Sequence, residues 1–301
     1  MKILLLGRGG QVGWELQRSL SVLGEVVALG SDAAHNPQGL CGDFTDLDGL
    51  AETVRRVQPT VIVNAAAHTA VDKAQSEPEL ARLINALAPG VLAQEATKLG
   101  AWLVHYSTDY VFDGSGTRAW CETDVAAPLS IYGQTKWEGE QAVALTSKHL
   151  ILRTSWVYAA RGGNFAKTML RLATERDALS VIDDQIGAPT SAELLADVTA
   201  HALRAAWARP ELAGLYHCVA DGETSWHGYA RFVLGQAQAL GQTLKAGPDQ
   251  VGTTSTAQYP TPAQRPLNSR LDTTKLKTNF GLTLPPWQQG VTRMLTEISG
   301  K

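Results

Sequence analysis

The chain has 301 residues, 44% hydrophobic and 18% charged, with a net charge of −3. That composition excludes a disordered tail protein, and the slight acidity excludes a basic surface built for a nucleic acid polymer or an anionic membrane. Three cysteines, Cys41, Cys121 and Cys218, are odd in number and far apart, which argues against a disulfide framework or a cysteine zinc site and points to a reducing cytoplasm. The apolar runs are too short for a membrane span, and Met-Lys-Ile-Leu-Leu-Leu-Gly is too short for a signal peptide. A cytoplasmic globular protein of one large domain or two is expected.

The first half alternates strand and helix. Lys2 to Leu6 is a short apolar run ending in glycines. Val12, Leu16, Leu20 and Leu23 have helical spacing. Glu25 to Leu29 reads as a strand, Leu47 to Val57 as a helix stopped by Pro59, and Thr60 to Asn64 as a β-branched strand. Pro78 to Leu99 predicts one long helix, with Pro89 an irregularity and Gly100 past its end. Trp102 to Ser107 is a strand, Tyr132 to Leu145 a helix and Leu150 to Ser155 a strand. This order predicts an α/β fold, a Rossmann-type doubly wound parallel sheet covered on both faces.

The second half is less regular. Helices are expected at Asn164 to Glu175, Ser191 to Trp207 and Trp226 to Leu240, with strands at Ser180 to Ile182 and Leu215 to Val219. Residues 246–269 are rich in Gly, Thr, Ser and Pro and read as irregular. A short helix around Leu295 closes the chain. Residues 1–158 form the expected cofactor domain, with 180–207 returning to it. Residues 159–301 supply mainly a smaller, interleaved C-terminal substrate domain.

Gly7, Gly10 and Gly13 stand between the first strand and the first helix, in the run Gly7-Arg8-Gly9-Gly10-Gln11-Val12-Gly13. Gly7 suits a tight turn, Gly10 the approach of a pyrophosphate, and Gly13 close packing of helix on strand. This predicts a dinucleotide site. Gly30 ends the second strand, where an acid would bind a ribose 2′-hydroxyl, and Asp32 follows two residues later. Arg8 fits a 2′-phosphate or is a solvated loop arginine, so both NADH and NADPH stay open. Asp43 and Phe44 stand where the chain passes the adenine; Asp43 is equally well read as a turn or capping acid. Ala65, Ala66 and Ala67 let a flat cofactor lie on the backbone, or simply allow tight packing.

Thr108 lies at the carboxyl end of a strand, where open α/β sheets bind ligands. Tyr132 and Lys136 are four apart on a helix and share one face. A free tyrosine titrates near 10, and an adjacent ammonium is expected to lower that value. The order of glycine loop, Thr108 and Tyr132/Lys136 makes the pair a strong candidate for proton transfer beside a dinucleotide site.

These residues resemble the extended short-chain dehydrogenase/reductases. Longer blocks resemble the dTDP-4-dehydrorhamnose reductase family within them. They are Gly10-Gln11-Val12-Gly13-Trp14-Glu15-Leu16, the run from Asn64 to Asp72, Ser107 to Phe112, Arg153 to Tyr158, Asp184 to Thr190 and Arg265 to Ser269. The resemblance implies NAD(P)H-dependent reduction of the C4 keto group of dTDP-4-dehydro-6-deoxy-L-mannose to dTDP-L-rhamnose, a sugar for lipopolysaccharide or another glycan. It implies that Tyr132 gives the proton, that Lys136 tunes Tyr132 and holds the nicotinamide ribose, and that Thr108 bonds the carbonyl oxygen or Tyr132. Tyr106 would touch the cofactor, and Asp109, Trp156 and Val71 the sugar, although Trp156 also reads as a core aromatic. Arg265, Asn268 and Ser269 would serve the nucleotide diphosphate, or form an exposed loop. A homodimer and Mg²⁺ at Glu15 and Glu193 are implied in the same way. Gly30 departs from the family, which commonly has an acid there.

Two other readings compete. A sugar-nucleotide epimerase or 4,6-dehydratase shares the fold, but a dehydratase needs Asp-Glu after the threonine and here Asp109-Tyr110 follows. A non-catalytic regulatory subunit would have no need of an intact Thr108, Tyr132 and Lys136.

Overall fold

The structure is a computed structural model that describes residues 1–300. In chain order it contains β1 (Lys2–Leu6), α1 (Gln11–Ser21), β2 (Glu25–Leu29), α2 (Leu47–Val57), β3 (Val61–Asn64), α3 (Ala88–Leu99), β4 (Trp102–Thr108), α4 (Ile131–Ala144) and β5 (His149–Thr154). It continues with α5 (Phe165–Glu175), β6 (Leu179–Ile182), α6 (Ala192–Ala208), β7 (Gly214–His217), α7 (Trp226–Ala239), β8 (Val251–Thr254) and α8 (Trp287–Ile298).

Six strands form one parallel sheet in the order β7-β5-β4-β3-β1-β2. The strand residues are almost all apolar because both faces are covered. Ile3, Leu5, Val61, Val63, Leu150 and Leu152 point to one face, beneath α1 and α6. Leu4, Leu6, Ile62, Leu103 and Ile151 point to the other, beneath α2 and α3. The alternation is the period of a strand, and each fully buried leucine contributes about 1.5–3 kcal/mol. The fold is the Rossmann-type α/β architecture.

The strand order reverses at β1. The chain leaves it for β2 on one side and later returns to β3 on the other. The carboxyl ends of β1 and β3 therefore border a crevice, where open α/β sheets place ligands.

Three departures from the sequence reading have physical causes. The single helix over Pro78 to Leu99 is interrupted by a π-type turn at Leu83–Leu87. Pro89 lacks the N–H that would close an α-turn on Asn85. The irregular stretch contains β8, which pairs in parallel with β6. Its Val-Gly-Thr-Thr gives no apolar period of its own. Helices Val71–Ser76 and Thr274–Phe280, with 6 and 7 residues, are too short for periodicity to reveal.

The second half packs on the first rather than beside it. Leu195, Ala196, Ala202 and Leu203 of α6 join the core under the main sheet, and β7 extends its edge. Tyr158, Tyr229, Trp287 and Val291 form a second core between α7 and α8. Among the described residues, no helix is long and apolar enough to cross a membrane.

Candidate active site

The glycine loop is fixed by close contacts. Gly7 has φ +86°, and a Cβ there would lie 2.7 Å from the Ala65 carbonyl carbon and the Ala66 nitrogen. A Cβ on Gly13 would lie 2.0 Å from the Gly7 carbonyl oxygen. Gly10 differs, because its Cβ would meet only that oxygen, at 3.4 Å. Gly10 also precedes α1 as an N-cap without a side-chain hydrogen bond. The first N–H groups of α1 are therefore left for an anion, at the positive end of the helix dipole.

These groups open into a cavity of about 920 Å³. Gly7, Arg8, Gly10, Gln11, Val12 and Gly30 line one end, with Asp43, Phe44, Ala65, Ala66 and Ala67 beside them. Val71, Tyr106, Thr108, Asp109, Tyr132, Lys136 and Trp156 line the rest. The structure thus gathers the residues expected at the cofactor with the expected catalytic group.

Arg8 lies across the end of β2. It donates to the Ala28 carbonyl at 3.3 Å and the His35 carbonyl at 2.6 Å. A Cβ at Gly30 would be 3.5 Å from its Nε. Asp32 faces His35 Nδ1 at 2.6 Å and accepts from the Ala34 N–H, so this nearby acid is occupied within its own turn. Asp43 Oδ1 accepts from the backbone and the hydroxyl of Thr45. Gln11 Oε1 accepts from Asn164, which ties the loop to the second half.

Thr108 ends β4. Its hydroxyl donates to Asp109 Oδ1 at 3.0 Å and accepts from the Tyr110 N–H at 3.2 Å. Helix α4 starts at Ser130, whose Oγ caps the Gly133 N–H, and it carries Tyr132 and Lys136 over the same strand end. Lys136 Nζ donates to the Tyr106 carbonyl at 2.6 Å. Burial brings its pKa down to about 8, with Glu140 opposing.

The electrostatics of Tyr132 differ from the sequence expectation. Burial pushes its phenol up to about 12; the Thr108 hydroxyl pulls it down and Asp109 pushes it further up. The group that lowers it is the Thr108 hydroxyl rather than the Lys136 ammonium. Asp109 is itself buried, and desolvation raises its carboxyl to about 6 against the pull of the Ser269 and Thr108 hydroxyls. Tyr106 donates to or accepts from Thr199 of α6 at 2.6 Å, so a second-half helix fixes a residue of the cavity wall.

Trp156 sits at the end of β5 with φ +50°, a strained conformation for a bulky residue. Its ring stacks on Trp226 with centroids 3.7 Å apart. Trp226 also lines the cavity, and its Nε1 donates to Gln185 at 3.0 Å. No motif surrounds Trp226, so sequence reasoning missed it. Ser107 and Thr154 were missed too. Their buried hydroxyls line the cavity without a protein partner, and their place at the ends of adjacent strands was the available signal.

Other expected residues lie outside the cavity wall. Arg265 pairs with both carboxylate oxygens of Asp72, at 2.9 and 3.2 Å. Asn268 is buried and donates to the Ser115 and Arg118 carbonyls, so its amide braces a loop. Ser269 meets the site through Asp109. Glu15 and Glu193 raise no metal centre within the chain. Glu15 faces Arg18 at 3.5 Å, and Glu193 binds Arg293 at 2.9 Å. Among the described residues, no three His, Cys, Asp or Glu side chains gather to hold a metal ion. Glu193 and Glu297 help to raise the Glu15 carboxyl, so these acids lie near one another, but the described residues of one chain do not by themselves complete an oxygen shell for Mg²⁺.

Comparison with known proteins gives the same picture. The family profile described as the RmlD substrate binding domain matches residues 1–299. The dTDP-4-dehydrorhamnose reductase of Salmonella typhimurium is 59% identical over 299 residues, covering 99% of this chain and 98% of that protein. The chain belongs to the dTDP-4-dehydrorhamnose reductase family. The solved family member from Clostridium acetobutylicum superposes with a TM-score of 0.88 at 36% identity, covering 99% of both chains. The Bacillus anthracis reductase, solved in complex with NADP, gives 0.86 at 33% identity, covering 98% of this chain and 99% of its own.

Proposed function

We propose that this chain reduces the C4 keto group of dTDP-4-dehydrorhamnose to give dTDP-L-rhamnose. The observation that carries the reading is the convergence of Thr108, Tyr132 and Lys136 on the cavity whose far end is the glycine loop. The nicotinamide cofactor supplies the hydride that goes to the sugar carbon. Tyr132 donates its phenolic proton to the oxygen formed there. A proton held at about 12 stays on the enzyme at neutral pH until the developing alkoxide takes it. Thr108 orients the phenol, and the Ser107 and Thr154 hydroxyls supply further hydrogen bonds at the strand ends. Asp109, Val71 and the Trp156/Trp226 stack shape the sugar end.

The preferred cofactor is NADPH. The small Gly30 and the Arg8 guanidinium beside it suit a 2′-phosphate, and the acid nearby, Asp32, is engaged with Ala34 and His35. The enzyme works as a cytoplasmic homodimer, and size-exclusion chromatography with light scattering tests the dimer. Its cofactor part comprises residues 1–158 with 180–207; the packing of α6 under the main sheet supports that division.

The deciding assay is oxidation of NADPH, then NADH, followed at 340 nm with the dTDP-keto-sugar, and NMR of the product. Turnover with dTDP-rhamnose as product is expected. No oxidation with either cofactor overturns the reading. Gly30→Asp is expected to favour NADH by roughly tenfold, the scale of one charge-assisted contact.

A further inference from the structure

Behind Lys136 lies a buried polar chain that the reduction does not use directly. The Ala66 N–H donates to Asn64 Oδ1 at 3.0 Å. That bond fixes the Asn64 amide, whose Nδ2 then faces His105 Nδ1, also at 3.0 Å. Nδ2 has only hydrogens to offer, so His105 Nδ1 accepts. A neutral imidazole with an accepting Nδ1 carries its proton on Nε2. Nε2 lies 3.5 Å from Lys136 Nζ. Asn64, His105 and Lys136 are all buried.

An N–H thus faces an ammonium, and neither can accept from the other. Lys136 keeps one protein acceptor, the Tyr106 carbonyl. We propose that Asn64 and His105 are positioning residues that deny Lys136 a second acceptor and so hold it as an ammonium that gives up its proton easily. Other charges near Lys136 do not replace this effect. Glu140, on its own helix, favours the charged form, but binds Arg153 of β5 through both oxygens at 2.6 and 2.8 Å. Burial and the Lys136 charge keep His105 well below the usual imidazole range, so it stays neutral. A reductase whose Tyr132 must recover a proton after each turnover gains from a neighbour that releases one near neutral pH.

The inference deepens the proposed reduction, and its first test does not depend on turnover. Long-range ¹H–¹⁵N NMR of histidine-labelled enzyme, with His105 assigned by its loss in His105→Phe, reads the tautomer directly. Neutral imidazole with the proton on Nε2, unchanged from pH 6 to 9, is expected. A proton on Nδ1, or an imidazolium, overturns the proposal. Asn64→Asp offers His105 an acceptor instead of a donor and should move the proton to Nδ1. Nε2 then accepts from Lys136. The basic limb of kcat against pH should rise by about one unit, with the KM for NADPH little changed. His105→Phe removes the N–H while keeping an aromatic ring, and should raise the same limb if Asn64→Asp does not fold. A lower kcat with the limb unmoved would mean a merely structural role and overturn the proposal. Absence of any wild-type turnover would refute the reductase reading while leaving the tautomer result to stand.

Discussion

The two ends of the cavity are built by different means. The end proposed for the cofactor is mostly backbone. A Cβ on Gly7 or Gly13 would lie 2.7 or 2.0 Å from neighbouring backbone, closer than any side chain survives, and Ala65 to Ala67 keep the neighbouring strand end small. The end proposed for the sugar is mostly side chains delivered from afar. Trp156, at the end of β5, meets Trp226 at the start of α7, and Asp109 meets Ser269. A backbone site depends on local spacing; a side-chain site depends on which segments the fold brings together.

The sharpest test of the difference is Tyr132→Phe. It removes the proposed proton donor and should cut kcat by about 10²–10⁴-fold. NADPH affinity, read by fluorescence titration, should be nearly unchanged. An equal loss of both would mean that the two ends are not separable.

Within the cofactor end, the glycines should differ. Gly13→Ala forces a Cβ into the Gly7 carbonyl, and overpacking of this kind costs about 1–3 kcal/mol or more. A lower thermal midpoint and loss of NADPH binding are expected. Gly10→Ala has a single neighbour at 3.4 Å and should fold normally while binding NADPH more weakly. Equal loss of stability in both would remove the distinction between packing and ligand glycines.

At the sugar end, Asp109 trades stability for function. Its carboxyl is held at about 6 in the fold, against an ordinary value of 3.8. The unfolded chain therefore loses this proton first. Stability falls as pH rises from about 4 to about 6 and remains lower above. The penalty at pH 7.5 is about 3 kcal/mol by linkage. Asp109→Asn should regain much of it in urea unfolding at pH 7.5, show no gain at pH 4, and turn over more slowly. A gain independent of pH would disprove the buried charge as its source.

Trp226→Ala is expected to have the smallest effect, raising the KM for the sugar nucleotide by about tenfold through lost aromatic packing. Cofactor affinity should not move. A change in NADPH binding instead would place this ring at the wrong end.

The legible part of the molecule follows from these contacts. The strands of the main sheet were readable because both faces are buried, which demands continuous apolar runs such as Ile3 to Leu6. The helix over Pro78 to Leu99 was readable in extent but not in its π-type turn, which depends on Pro89 and Asn85 acting together. β8 was invisible because its pairing with β6, not its own composition, makes it a strand. Arg265 was legible as an arginine suited to phosphate, but its partner Asp72 is supplied by a helix far away in sequence.

The sequence by itself determined the alternation of strands and helices, the glycine loop and the pairing of Tyr132 with Lys136. Each is a spacing within one strand or one helix turn, and local geometry carries it. The tertiary structure decided that Lys136 bonds the Tyr106 carbonyl, that burial lifts Tyr132 to about 12, and that Arg8 lies beside Gly30. It also decided that β7 and α6 of the second half complete the first. Desolvation, hydrogen-bond partners and strand pairing all depend on neighbours distant in the chain, and those exist only once it has folded.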